Sequence, residues 1–353
     1  MTRDKLHNLR ISSVNQEIYR KVRENLDHVA KPLDGLGIFE HLIAQIGAIQ
    51  KSTKPDIRKK AVVVMCADNG IVEEGVSQSG NEVTLAVAKA MGKNMSSVGK
   101  MAAGIGAAVI PVDIGIDFAG TIQGVKNNKV AMGTRNFLKE AAMTEQETLQ
   151  AIEVGMQLVR QCRDEGYGIL ATGEMGIGNT TTSTAAAAAL LDMDAREITG
   201  RGAGLNDLAL ARKMQVIVAA IEKYQLRKAD PFTILQTVGG LDIAGLTGVF
   251  LGAALYEMPV VIDGAISAAA AMLAECLCPG AKAYMIASHR SRETTADVIL
   301  QRLGLKPVLD ADMALGEGTG AVMLMSLLDI ALRIYIDGST FEAFAIEQYE
   351  RYG

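Results

Sequence analysis

The chemistry this chain could perform is concentrated in two carboxylates and one lysine set among glycine-rich turns. Glu317 stands alone between glycines in Leu315-Gly316-Glu317-Gly318-Thr319-Gly320, directly ahead of an apolar segment. A carboxylate so placed is partly desolvated, a setting that suits a general base. The same placement equally suits a carboxylate that neutralises the N-terminus of the helix behind it. Glu174 lies in Gly173-Glu174-Met175-Gly176-Ile177-Gly178-Asn179-Thr180-Thr181. An apolar run at 168–172 precedes that stretch and an alanine-rich segment at 182–191 follows it, which reads as strand, glycine-rich turn, helix. Unpaired N–H groups at the helix start favour an anion, and the glycines let a phosphate approach the backbone. A threonine-capped tight turn without a ligand carries the same local pattern. The stretch is neither a Walker loop nor GxGxxG, so it specifies neither ATP nor NAD. Lys213, on a predicted helix at 207–223 behind the glycine loop 200–206, can supply a cation for a phosphate.

Segments that read as strands must position these groups. They fall at 61–67, 107–113, 168–172, 259–263 and 283–286, and predicted helices alternate with them: 83–101, 143–163, 182–191, 207–223, 243–256, 266–277 and 321–335. The alternation predicts an α/β fold, a doubly wound and mostly parallel sheet. Two helices within 14–51 and the last residues predict a small helical subdomain built from the chain ends (1–55 with 335–353) beside an α/β catalytic domain (56–334). Polar turns at 68–70, 113–117, 173–180, 263–264 and 288–291 then share one sheet edge, where such sheets bind ligands. Asp113 and Asp117 bracket a glycine there, as turn and cap residues or as a ligand site. Lys31, in the turn 31–37, reads as a solvated lysine.

Composition excludes several partners. The 353 residues carry 35 basic and 40 acidic side chains, a net charge of −5, with no basic run to hold nucleic acid. The longest uncharged apolar run, 243–256, is too short to span a bilayer. The polar, charged start and four scattered cysteines predict a cytoplasmic protein with reduced thiols. Cys276-Leu277-Cys278 has no histidine near it in sequence, and the four histidines are scattered, so no metal site is expected.

Six motifs in order, GEMGIGNTT (173–181), GRGAG (200–204), VGGLDIAG (238–245), VVIDG (260–264), SHRS (288–291) and LGEGTGA (315–321), closely resemble the nicotinate-nucleotide:dimethylbenzimidazole phosphoribosyltransferases. That family activates the lower-ligand base of cobalamin. The resemblance implies that Glu317 is the catalytic base and that Glu174 is a second carboxylate facing positive charge on the ribose. It implies that Gly176, Asn179, Thr180, Gly202, Lys213, Gly264 and Ser291 surround nicotinate mononucleotide, mostly near its phosphate. Ser79, Val87 and Leu315 would line the pocket for the incoming aromatic base. It also implies a dimer in which Ser291 serves a neighbouring subunit, and no metal or cofactor, since the donor has no pyrophosphate to neutralise.

Three departures bear on the acceptor. Asn69 stands where the family commonly has histidine, Gly80 where it has proline, and Val87 where it has glutamine. Without that amide a phenol or p-cresol becomes a conceivable acceptor beside dimethylbenzimidazole. The chain would then be one subunit of a pair with a paralogue. A non-catalytic paralogue would be expected to lack Glu174 or Glu317, and both are present. A nicotinamide-dependent dehydrogenase follows from the doubly wound pattern alone, without the GxGxxG turn it needs.

Overall fold

The structure, a computed structural model, describes residues 1–351. Strand β1, Lys60–Ala67, is buried along its whole length. Its unbroken apolar run has no polar face, so it needs cover on both sides. The remaining strands are β2 (Ala108–Gly115), β3 (Lys126–Asn127), β4 (Ile169–Met175), β5 (Val260–Ile262), β6 (Met285–Ala287), β7 (His289–Ser291) and β8 (Leu309–Met313). The first six form one sheet in the order β3-β2-β1-β4-β5-β6, and β7 and β8 form a second. Every pairing is parallel. The chain winds outward from β1 in one direction and then from β4 in the other, so the fold is the expected doubly wound α/β sheet. The β1/β4 pair is its switch point, where a crevice opens at the strands' carboxyl ends.

Two apolar layers cover the sheet, and alternate β1 residues feed them. Ala61, Val63 and Met65 face one layer, built on helices Glu145–Asp164, Leu241–Leu255 and Ala265–Leu277. Val62, Val64 and Cys66 face the other, built on Ile38–Gln50, Glu82–Gly92, Ser97–Gly104 and Thr319–Asp337. With no tryptophan available, the first layer packs by close backbone approach. A Cβ on Gly248 would collide with the carbonyl oxygen of Ile152 across the helix pair. Helix Thr319–Asp337 is long and apolar enough to cross a membrane by length and composition. Here its Ala321, Leu324, Met325 and Leu328 are buried in the second layer.

Three expectations change. The segment 83–101 is two helices, because the chain breaks at Lys93–Ser96: Asn94 has φ +54°, and Ser96 Oγ accepts the Gly99 N–H at 3.2 Å to start the second. Gly173, Glu174 and Met175 are strand, not turn, since β1 pairs with them through Val64, Met65 and Cys66. Lys31 is not solvated. Its Nζ lies 2.6 Å from Glu40 Oε1, and Arg23 holds the other oxygen at 2.8 Å, so a fully buried carboxylate is paired twice.

The chain ends meet. The Ala30 N–H donates to Ser339 O at 2.8 Å, Tyr335 Oη donates to Thr53 O at 2.7 Å, and Arg351 pairs with Asp27 and Asp34. The residues before Gln16 go elsewhere. Leu6 is buried in the layer on the opposite face of the sheet, and Arg3 pairs with Asp230 at 2.9 Å.

Candidate active site

The crevice is assembled by two backbones that touch. A Cβ on Gly173 in β4 would collide with the carbonyl oxygen of Glu317, and a Cβ on Gly316 would lie 2.8 Å from Glu174 Oε1. Glycine at both positions therefore lets the end of β4 and the 315–320 turn share one space, with Glu174 and Glu317 on its rim. Glu317 has φ +60°, a left-handed conformation uncommon for a non-glycine residue and frequent at functional sites. Its Oε2 accepts the Val98 N–H at 3.1 Å, at the start of helix Ser97–Gly104.

Glu317 thus serves a helix start, but not that of the helix behind it. Asp263, at the end of β5, has that place: Oδ2 accepts the Gly318 N–H at 3.1 Å and Oδ1 the Ala321 N–H at 3.0 Å. Burial raises the Asp263 carboxyl, and His289, 4.0 Å away, opposes the rise. Asp263 was legible only as a turn residue. Its role depends on β5 running directly under the 315–320 turn.

Burial pushes Glu174 up to about 7, Asp242 and Asp263 add to the rise, and the Asn179 amide opposes it. That amide donates to Glu174 Oε2 and, at 3.1 Å, to Asp242 Oδ2. Asn179, expected near the nucleotide phosphate, therefore has its donor group committed to two carboxylates. Asp242 is fully buried and is likewise pushed up, to about 6, by burial. No role was predicted for it, although the signal was in the GGLD sequence: it is the one charged residue of an otherwise apolar helix.

On the other side of Asn179 lies the turn expected to cradle an anion. Lys213 is fully buried, and its Nζ donates to Thr180 Oγ1 at 2.9 Å and to Gly200 O at 3.1 Å. Burial pushes its ammonium down to about 8, against the opposing influence of Glu293. Gly202, at φ +54°, turns its N–H to Glu293 Oε1 at 2.9 Å. Glu293 is an acid that the sequence reading missed; the available signal was its position two residues beyond Ser291. Ser291 stands beside Gly264 of its own chain, with Oγ 3.9 Å from where a Cβ on Gly264 would lie. Gly176 packs against Ala67 O and the Asp242 carboxylate, joining cradle to carboxylates.

The expected acceptor residues Ser79, Val87 and Leu315 come from three separate segments. The Ile177 N–H donates to Thr84 Oγ1 at 3.2 Å, tying helix Glu82–Gly92 to the cradle. Val87 on that helix and Met175 at the end of β4 are half-buried against the same apolar layer. Ser79 is half-buried, its N–H bonded to Ser77 Oγ at 3.3 Å, and Gln78 bonds the Gly204 carbonyl, drawing the loop across the cradle. Leu315 is 54% exposed at the rim. Asn69 donates to Ile177 O at 3.3 Å. Asp113, near the end of β2, accepts the Ile116 N–H at 2.9 Å and pairs with Lys129 at 2.9 Å, so its carboxylate is engaged within the fold.

A hollow of about 70 Å³ remains between Val76–Gln78, the cradle and the 201–205 loop. Larger hollows, of about 900 and 1010 Å³, lie beneath Met1–Arg3 and at the start of β1, away from this chemistry. Among the described residues no group of His, Cys, Asp or Glu is arranged to hold a metal ion.

The chain is thus a doubly wound α/β protein with a buried lysine and two carboxylates gathered at the switch point of its sheet. Residues 11–346 match the family model described as "Phosphoribosyltransferase", and the chain belongs to that family. It is 42% identical over 340 residues to the nicotinate-nucleotide–dimethylbenzimidazole phosphoribosyltransferase of Clostridium acetobutylicum, covering 96% of this chain and 97% of that one. It is 41% identical over 338 residues to the protein of the same name from Acetivibrio thermocellus, covering 95% and 96%. The crystal structure of CobT from Thermus thermophilus matches with a TM-score of 0.89 at 35% identity, over 94% of this chain and 100% of that one.

Proposed function

We propose that the chain transfers the 5-phosphoribosyl group of nicotinate mononucleotide to an aromatic lower-ligand base. The products are an α-riboside 5′-phosphate and nicotinate, for corrinoid nucleotide-loop assembly. The observation that carries this reading is the meeting of Glu174 and Glu317 across Gly173 and Gly316, with Glu174 bonded to Asn179 and Lys213 to the adjacent Thr180.

Nicotinate is bound to the ribose through a positively charged ring nitrogen and leaves as a neutral pyridine. The transition state is oxocarbenium-like, and an ionised Glu174 beside it is stabilising in a crevice of low dielectric. Glu317, held by the Val98 N–H through one oxygen, takes the proton of the attacking base through the other. Lys213, Thr180, Gly202, Gly264, Ser291 and the N-terminus of helix Asn179–Leu191 hold the phosphate. Glu293 must give up the Gly202 N–H for that to happen. The acceptor wall of Val87, Met175 and Leu315 is apolar and suits a flat aromatic ring, with Ser79 as its polar edge.

The test is product analysis by mass spectrometry. Purified protein is mixed with nicotinate mononucleotide and a pool of dimethylbenzimidazole, adenine, phenol and p-cresol. An α-ribazole phosphate supports the reading as stated. A phenolic riboside would keep the reaction and change the acceptor. No riboside phosphate, from the chain alone or with a paralogue added, would refute it.

A further inference from the structure

Asp242 has more structure around it than a helix start requires. Its Oδ1 accepts the Ile243 N–H at 2.9 Å and its Oδ2 accepts from Asn179 Nδ2, the same amide group that bonds Glu174. No lysine or arginine pairs with it among the described residues. Asn69 packs beside it: its Oδ1 would lie 2.6 Å from a Cβ on Gly240, a place that Asp242 Oδ1 also crowds. That Asn69 oxygen is buried and has no hydrogen-bond donor. One amide thus serves two buried acids and holds their carboxylates close together. With both acids ionised, two like charges would be buried side by side. One proton on the pair relieves that conflict.

We propose that Asp242 is a positioning residue for the transfer: bridged by Asn179, it keeps one proton on the Glu174–Asp242 pair in the free enzyme. That proton is released to solvent when the positively charged ring nitrogen of the donor nucleotide comes to lie beside the pair, so Glu174 meets the reacting ribose ionised and already oriented. The inference rests on nicotinate mononucleotide being the donor. Burial raises both carboxyls toward neutrality, in line with a retained proton. The other ionisable groups near the pair do not supply a counter-charge. Cys66 is a buried thiol pushed up by burial and by the surrounding carboxylates, Asp68 bonds the Asp117 N–H, and Glu317 bonds Val98. His289 lies against Asp263.

The experiment is calorimetric titration with nicotinate mononucleotide at pH 6.5 in two buffers of different ionisation enthalpy, beside the pH profile of kcat/KM. Wild type should release about half a proton or more per nucleotide bound. In Asp242→Asn the repulsion on Glu174 is gone, so release should fall. The acid limb of kcat/KM should move down by about one pH unit, while activity at pH 8 stays within about threefold. Asp242→Ser, which also removes the charge, gives the same readout where the asparagine variant does not fold. An equal loss of kcat/KM at every pH with unchanged proton release would make Asp242 merely structural and overturn the proposal. Wild type that does not bind the nucleotide would instead overturn the functional reading beneath it.

Discussion

Replacing Glu174 with glutamine should abolish turnover and yet stabilise the free protein above neutral pH. A carboxyl whose ordinary pKa is 4.5 and which titrates at about 7 in the fold disfavours its ionised form by about 3 kcal/mol. The sign follows from linkage. A group raised on folding contributes stability that is intact below 4.5, where both states are protonated, and lost as pH rises through 7. Wild type therefore loses this share between about pH 4.5 and 7, and the uncharged variant does not. Glutamine keeps an oxygen to accept the Asn179 amide, so the hydrogen bond survives. At pH 8 the gain is at most about 3 kcal/mol, or roughly 4 °C in Tm at ~2 cal/mol/K of unfolding entropy per residue. It should vanish near pH 4.5. Differential scanning calorimetry of both proteins at pH 4.5, 6 and 8 reads this directly. Adding nicotinate mononucleotide at pH 8 should raise the wild-type Tm more than the variant's, since the ring cation compensates the ionised acid. A variant that melts below wild type by the same margin at every pH would refute the reasoning: Glu174 would then stabilise the fold as an ordinary hydrogen-bond partner.

Three further outcomes are expected. Glu317→Gln should lose at least roughly a hundredfold in kcat while still binding nicotinate mononucleotide, and near-wild-type turnover would remove Glu317 as the base. Lys213→Met, which fills the same buried space, should weaken nucleotide binding tenfold or more. In wild type the affinity should also decline as pH rises above about 8 and the buried ammonium discharges; an affinity flat to pH 9.5 would contradict a charged Lys213 on the phosphate. Glu40→Ala should cost about 3 kcal/mol or more in urea unfolding, because it strands Lys31 and Arg23 around a buried position. A loss under ~1 kcal/mol would show that the two cations find water instead.

The chain's own order of residues determined the sheet and marked Glu174, Glu317 and Lys213 as candidate site residues. Unbroken runs such as 61–67 admit no exposed face, which forces helices onto both sides and a parallel sheet between them. Lys213 and Glu317 were singled out through the ordered motifs rather than by local features, since a carboxylate between glycines ahead of an apolar helix equally suits a helix cap. What remained hidden involves groups far apart in sequence. Asp263 holds the Glu317 turn from 55 residues away through the Gly318 N–H, and Asp242 reaches Glu174 only through Asn179, 63 residues from it. Lys31 looked solvated because its partner Glu40, nine residues on, becomes buried only when the two N-terminal helices close on each other. Local patterning carries burial and turn geometry. The identity of a buried charge's partner is decided by which strand ends the topology brings together, and for Asp242, Asp263 and Glu293 only the tertiary structure decided it.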